Sequence, residues 1–168
     1  MIEKFFCLCG ETQMKQIKRI LVATDFSDCS KEAYAEAIQL ARQLKGTVLL
    51  THVIEPIGSV HIEPLAYLEL KAGQALDRMV HPAREEGIKV ETHLFKGDPA
   101  AEIIKAAEDL QCDLIVMGTH GRTGIPRLLM GSVTERVLRA SPVPIVAVRQ
   151  RPVAEKKKTL AKEETAAA

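Results

Sequence analysis

Along most of the chain the hydrophobic pattern alternates between two periods. Ile20 to Ala23 is an unbroken apolar run ending at Thr24 and Asp25. A 3.6-residue period follows, with Ala33, Ala37, Leu40, Ala41 and Leu44 on one face of a helix from about Ser30. Ser27 or Asp28 can cap that helix, and Gly46 is placed to close it. Thr47 to Val53 reads as a second strand, with Pro56 and Gly58 in the loop after it. Leu65, Leu68, Ala72, Leu76, Met79 and Ala83 then predict a longer amphipathic helix ending near Gly87. Val90, Thr92 and Leu94 alternate as in a strand at a sheet edge. Asp98 and Pro99 have the cap-then-proline order of a helix start, and Ile103, Ile104, Ala107 and Leu110 continue it. Asp113 to Gly118 is the fourth strand, Val133 to Arg139 a short amphipathic helix, and Val143 to Val148 the fifth strand. Strands alternating with helices predict an α/β domain: an open, parallel five-stranded sheet with helices on both faces and right-handed crossovers.

The ends do not share this pattern. Residues 1–16 show no periodicity and read as an N-terminal extension, residues 17–150 as a single domain, and residues 151–168 as a flexible charged tail. In 168 residues, 46% hydrophobic content is enough for one core. Lys and Arg total 23 against 22 Asp and Glu, interspersed, so no basic face argues for nucleic acid. No apolar run is long enough to span a membrane. Cys7 and Cys9 have no second pair at zinc-site spacing, and Cys29 and Cys112 read as inert thiols, which together suggest a reducing cytoplasm.

Candidate chemistry concentrates where the fourth strand breaks into Gly118-x2-Gly121-x9-Gly131-Ser132 and re-forms as a helix. Glycines let a backbone approach an anion, and a helix N-terminus presents N–H groups and the positive end of its dipole. In open α/β sheets a ligand lies beyond the carboxyl ends of the strands, where the strand order reverses. If the first and fourth strands are neighbours there, Asp25 and the glycine loop face one crevice. Asp25 would then accept from a ribose hydroxyl or an exocyclic amine while the loop meets phosphates; its other reading is a capping or turn residue. The chain has no dinucleotide fingerprint in its first βα turn, no Gly-x4-Gly-Lys-Ser/Thr loop and no Gly-x-Ser-x-Gly elbow.

Ile20 to Ser27 (ILVATDFS), the strand end Thr51-His52-Val53, the glycine spacing above and Ser141 to Val148 (SPVPIVAV) together resemble the universal stress protein family, more narrowly its ATP-binding branch. The resemblance covers residues 17–149. It implies the strand order 3-2-1-4-5, a Rossmann-like fold of the adenine-nucleotide-hydrolase kind, and ATP or another adenine nucleotide in the crevice. By matching position Ala23, Thr24 and Asp25 would line the nucleoside pocket, the main chain of Val53 would read the adenine edge, and Met117 and Gly118 would contact the nucleoside. Gly121, Arg122, Gly131, Ser132, Val133 and Thr134 would bind phosphates, with Mg²⁺ or Mn²⁺ bridging them. The resemblance also implies a homodimer through antiparallel pairing of the last strand, Pro144 to Arg149, which would cover an exposed sheet edge.

His120 lies inside the loop and invites a catalytic reading, but no second group is evident to orient its ring, so we read it as structural or phosphate-adjacent. Arg122 and Arg127 could cradle phosphates or face solvent. His52, His61, His81 and His93 are too scattered to nominate a metal site. The favoured function is therefore an ATP-binding stress-response regulator, with nucleotide as a conformational or oligomer switch and the loop from Glu55 to Pro64 as its moving element. It would act on a downstream protein that the residues do not name. The alternative is a slow ATPase or nucleotide-dependent enzyme in the same crevice.

Overall fold

The computed structural model describes residues 16–55, 64–120 and 130–149. In chain order the elements are β1 (Arg19–Ala23), α1 (Asp28–Leu44), β2 (Thr47–Ile54), α2 (Leu65–Glu85), β3 (Lys89–Lys96), α3 (Pro99–Asp109), β4 (Leu114–Gly118), α4 (Ser132–Ala140) and β5 (Ile145–Val148). All neighbouring strands run parallel, and the sheet order is β3-β2-β1-β4-β5. That is the order the resemblance implied.

Two cores explain why the central strands are apolar throughout. Ile20, Val22, Val48, Leu50, Leu114 and Val116 face α1 and α2, meeting Ala33, Ala37, Leu76 and Val80. Leu21, Ala23, Leu49, Ile115 and Met117 face α3 and α4, meeting Ala100, Ile103, Ala107 and Val137. Successive residues of a strand point to opposite faces, so a strand covered on both sides has no polar positions to spare. The two edges are more exposed: in β3 only Val90 is buried, and β5 leaves Val146 38% exposed.

Local chemistry sets the boundaries. Ser27 is the cap of α1, its Oγ accepting from Ser30 N at 3.3 Å, so the helix begins at Asp28, earlier than the apolar stripe suggests. At the other end Lys45, not Gly46, adopts the left-handed cap conformation, with φ 52°. Gly46 serves a different need: a Cβ there would stand 3.0 Å from the Lys18 carbonyl oxygen, which also accepts from Thr47 N. Asp113 lies just before β4, and its Oδ2 accepts from Lys18 N and Arg19 N at 2.9 Å each, tying the starts of β1 and β4 together. Asp98 caps α3 as expected, accepting from Ala101 N at 2.9 Å, and also holds Arg136 of α4 through two hydrogen bonds. Among the described residues no helix is long and apolar enough to cross a membrane.

Candidate functional site

β1 and β4 are direct neighbours, with Ala23 paired to Met117. The chain leaves β1 for the face of α1 and α2, whereas α4, which follows β4, packs on the opposite face. The chain therefore leaves the two neighbouring strand ends toward opposite faces, and this reversal of strand order is where open α/β sheets form their ligand crevice.

On the β1 side the sequence Thr24 to Ser27 folds into a tightly bonded turn. Thr24 is buried, and each of its polar groups is engaged. Its N–H donates to Thr51 O (2.9 Å), its carbonyl lies 2.7 Å from His52 Nδ1, and its Oγ1 accepts from Phe26 N (3.0 Å) and lies 3.0 Å from Ser30 Oγ. Asp25 Oδ1 accepts from both the N–H (3.1 Å) and the hydroxyl (2.6 Å) of Ser27. The carboxylate thus orders the turn, the turn-forming role the sequence also allowed, while Ser27 caps the helix. Phe26 takes φ 67°, a left-handed conformation uncommon for a phenylalanine.

On the β4 side the base of the glycine loop is pinned. Thr119 N donates to Val148 O (2.8 Å), and Gly131 N donates to Thr119 O (2.7 Å). Thr134 Oγ1 donates to Gly118 O at 2.8 Å, anchoring α4 to the end of β4. Gly131 is the cap of α4, in extended conformation with no side-chain hydrogen bond, and the first helical bond runs from Glu135 N to Gly131 O. The N–H groups of Ser132, Val133 and Thr134 precede that bond and are the orphan donors of the first turn. Ser132 is exposed, Val133 is half-buried and the Thr134 side chain is buried. His120 is half-buried at the start of the loop, its Nδ1 2.9 Å from Thr119 Oγ1.

The direction of Val53 follows from the ladder. Thr51 O bonds toward β1, at Thr24 N, and Ile54 O bonds toward the β3 side, at Gly97 N. Main-chain groups alternate sides along a strand, so those of Val53 turn toward β1, past the point where β1 ends at Ala23. The structure thus gathers Ala23, Thr24, Asp25, Val53, Met117, Gly118, His120, Gly131, Ser132, Val133 and Thr134 at the carboxyl end of the sheet. Gly121, Arg122, Arg127, most of the loop from Glu55 to Pro64 with His61, the extension with Cys7 and Cys9, and the tail lie outside the described residues.

Three residues that periodicity did not single out complete this end of the sheet. Cys29, in the first turn of α1, packs so close to Gly118 that a Cβ there would stand 2.8 Å from its Sγ, and that Sγ donates to Val148 O at 3.4 Å. Ser30 bonds Thr24, and Thr119 bonds the loop base and β5. Only contact across the fold reveals them. Among the described residues no cluster of three or more His, Cys, Asp or Glu could hold a metal ion.

An open parallel sheet with a crevice at its switch point and a glycine-capped helix beside it defines a Rossmann-like α/β class. The sequence model of the universal stress protein family matches residues 16–149. Universal stress protein MJ0531 of Methanocaldococcus jannaschii is 38% identical over 140 residues, covering 79% of this chain and 82% of that protein. The solved structure of MJ0577, a universal stress protein of the same organism, superimposes with a TM-score of 0.71 at 31% identity, over 82% of this chain and 99% of that one. A universal stress protein from Archaeoglobus fulgidus, solved in complex with dAMP, gives a TM-score of 0.62 at 25% identity, over 79% and 98%. The chain belongs to the universal stress protein family.

Proposed function

We propose that the protein binds ATP, or another adenine nucleotide, in the crevice between β1 and β4, as a regulator with slow or no hydrolysis. One observation carries this reading: a helix start whose cap, Gly131, brings no side-chain acceptor, so that the Ser132, Val133 and Thr134 N–H groups are left for an anion. The dAMP complex of the Archaeoglobus fulgidus relative supports an adenine nucleotide as that anion's carrier.

Asp25 would accept from the ribose, the main chain of Val53 would meet the adenine edge, and Ala23, Thr24, Met117 and Gly118 would wall the nucleoside. Gly121 and Arg122 would bind the phosphates, with His120 beside them. Mg²⁺ or Mn²⁺, when bound, would bridge the phosphates and neutralise their charge. The free edge of β5, Pro144 to Arg149, would pair with a second copy, making the assembly one element that nucleotide can bias. A ligand biases it only through different affinities for its two arrangements.

Gly131→Val tests the site. The backbone there, φ −71° and ψ 149°, accepts any residue, so the variant should fold while its side chain blocks phosphate approach. Loss of ATP binding with an unchanged melting temperature is expected; unchanged affinity would overturn the assignment. Phosphate release at single-turnover protein concentration separates regulator from ATPase, and a burst matching the bound ATP would favour the enzyme.

A further inference from the structure

The turn that carries Asp25 is held from the neighbouring strand. His52 Nδ1 stands 2.7 Å from the Thr24 carbonyl oxygen. A carbonyl only accepts, so Nδ1 carries the proton of this bond, whichever charge state the ring has. The same imidazole packs against Phe26, with centroids 4.4 Å apart and planes tilted by 41°. Phe26 is the residue whose left-handed φ of 67° reverses the chain immediately after Asp25. His52 therefore grips the turn on both sides of the carboxylate-bearing residue.

Its place in the ladder explains what this achieves. Thr24 N donates to Thr51 O as in a regular parallel pair. In such a pair the Thr24 carbonyl would next take a main-chain N–H of β2, two residues on, at Val53. Here the His52 side chain meets that carbonyl. The turn can then leave the sheet at Asp25 while the β1-facing main chain of Val53 continues beyond it. One imidazole bond thus fixes where the carboxylate-bearing turn leaves the sheet.

We propose that His52, in contact with Phe26 and the Thr24 carbonyl, is a positioning residue that orients Asp25 toward the ribose of a bound adenine nucleotide without itself touching the ligand. This rests on the nucleotide-site reading above. It separates His52 from a merely structural strand-end histidine, whose loss would weaken every ligand of the crevice alike.

The test uses the full chain, titrated with ATP and with 2′,3′-dideoxy-ATP, which lacks the ribose hydroxyls. The variants are His52→Leu, His52→Asn, Asp25→Ala and the double variant Asp25→Ala with His52→Leu. Asn places an amide donor near the Nδ1 position; Leu has none. His52→Leu should weaken ATP about tenfold, the size expected for losing one charged or well-placed hydrogen bond, and dideoxy-ATP by less than about twofold. His52→Asn should bind ATP close to the wild-type affinity, and His52→Leu should add no further loss once Asp25 is Ala. If His52→Leu fails to fold, His52→Gln, whose amide falls near Nε2 instead, should reproduce the selective loss of ATP. Equal losses for both nucleotides, or additive losses with Asp25→Ala, would overturn the proposal. If Asp25→Ala weakens ATP but no His52 variant does, the positioning role alone fails. If Asp25→Ala binds ATP like the wild type, the ribose role of Asp25 and the positioning role of His52 both fail; if the wild type binds neither nucleotide, the nucleotide-site reading itself fails.

Discussion

Thr134 Oγ1 donates to the Gly118 carbonyl at 2.8 Å, joining the last residue of β4 to the first turn of α4 across the glycine loop. Sixteen residues separate the two in sequence, and both groups are buried. The threonine hydroxyl is therefore a strut of the loop, while its main-chain N–H belongs to the helix start. Thr134→Val keeps the shape but leaves a buried carbonyl unpaired. We expect a stability loss of about 1–3 kcal/mol in chemical denaturation, with ATP affinity falling as α4 loosens. Thr134→Ser keeps the donor and should retain most of the affinity.

Gly118 is a glycine because α1 crosses it closely. A Cβ there would lie 2.8 Å from Cys29 Sγ and 3.1 Å from the Cys29 carbonyl carbon. Gly118→Ala should cost roughly 1–3 kcal/mol, as overpacking does. Adding Cys29→Ala should recover only part of this, since the main-chain contact remains. Full recovery in the double variant would mean that the thiol alone sets the spacing.

Tyr34 and Cys112 give the fold an alkaline limit. Burial pushes the Tyr34 hydroxyl up to about 12, against the lowering effect of Arg84, and burial pushes the Cys112 thiol up to about 11. Both folded values exceed the ordinary ones near 10 and 9, so the folded state holds these protons more tightly than the unfolded chain. Their contribution is complete below about pH 9 and is lost as pH rises, through 9 to 11 for Cys112 and 10 to 12 for Tyr34. Urea midpoints measured from pH 8 to 12 should fall across that window. Tyr34→Phe should remove the upper part of the fall. At neutral pH it should change stability by less than about 1 kcal/mol, because the buried hydroxyl has no hydrogen-bond partner among the described residues.

Val146 is exposed on an edge strand, and among the described residues that strand pairs only with β4, Val146 opposite Val116. If a second copy pairs along β5, Val146→Lys places a charge in that seam. The sedimentation coefficient should drop from a dimer's value to a monomer's at micromolar protein. An unchanged coefficient would point to another interface.

Much of the fold was legible because both periods are strong. Ile20 to Ala23 and Leu114 to Gly118 are apolar throughout since both faces are covered, and Asp98 followed by Pro99 announces α3 without help from the rest of the chain. Boundaries set by contact across the fold were not legible. Gly46 looked like a helix close, yet Lys45 takes the left-handed cap and Gly46 answers to Lys18, 28 residues away. The first residues of β4 and β5 likewise depend on partners: Asp113 turns its side chain to β1, and Pro144 gives its carbonyl to Ile115 N but begins no ladder of its own.

The site followed the same division. Glycine spacing located the loop and helix start, because close backbone approach leaves a mark in residue type. Asp25 was visible, but its bond to Ser27 and the grip of His52 on Thr24 were not, since each depends on how turn and strand meet. Thr134 stood among the phosphate residues by position; its hydroxyl instead bonds Gly118.

If the protein works as proposed, this crevice holds an adenine nucleotide. Calorimetric titration of nucleotide-stripped protein with ATP, with and without Mg²⁺, tests it most directly. One site per chain with a Kd at or below roughly 10 μM, about −7 kcal/mol, is expected. The absence of binding in the titration and in an independent equilibrium assay would contradict it.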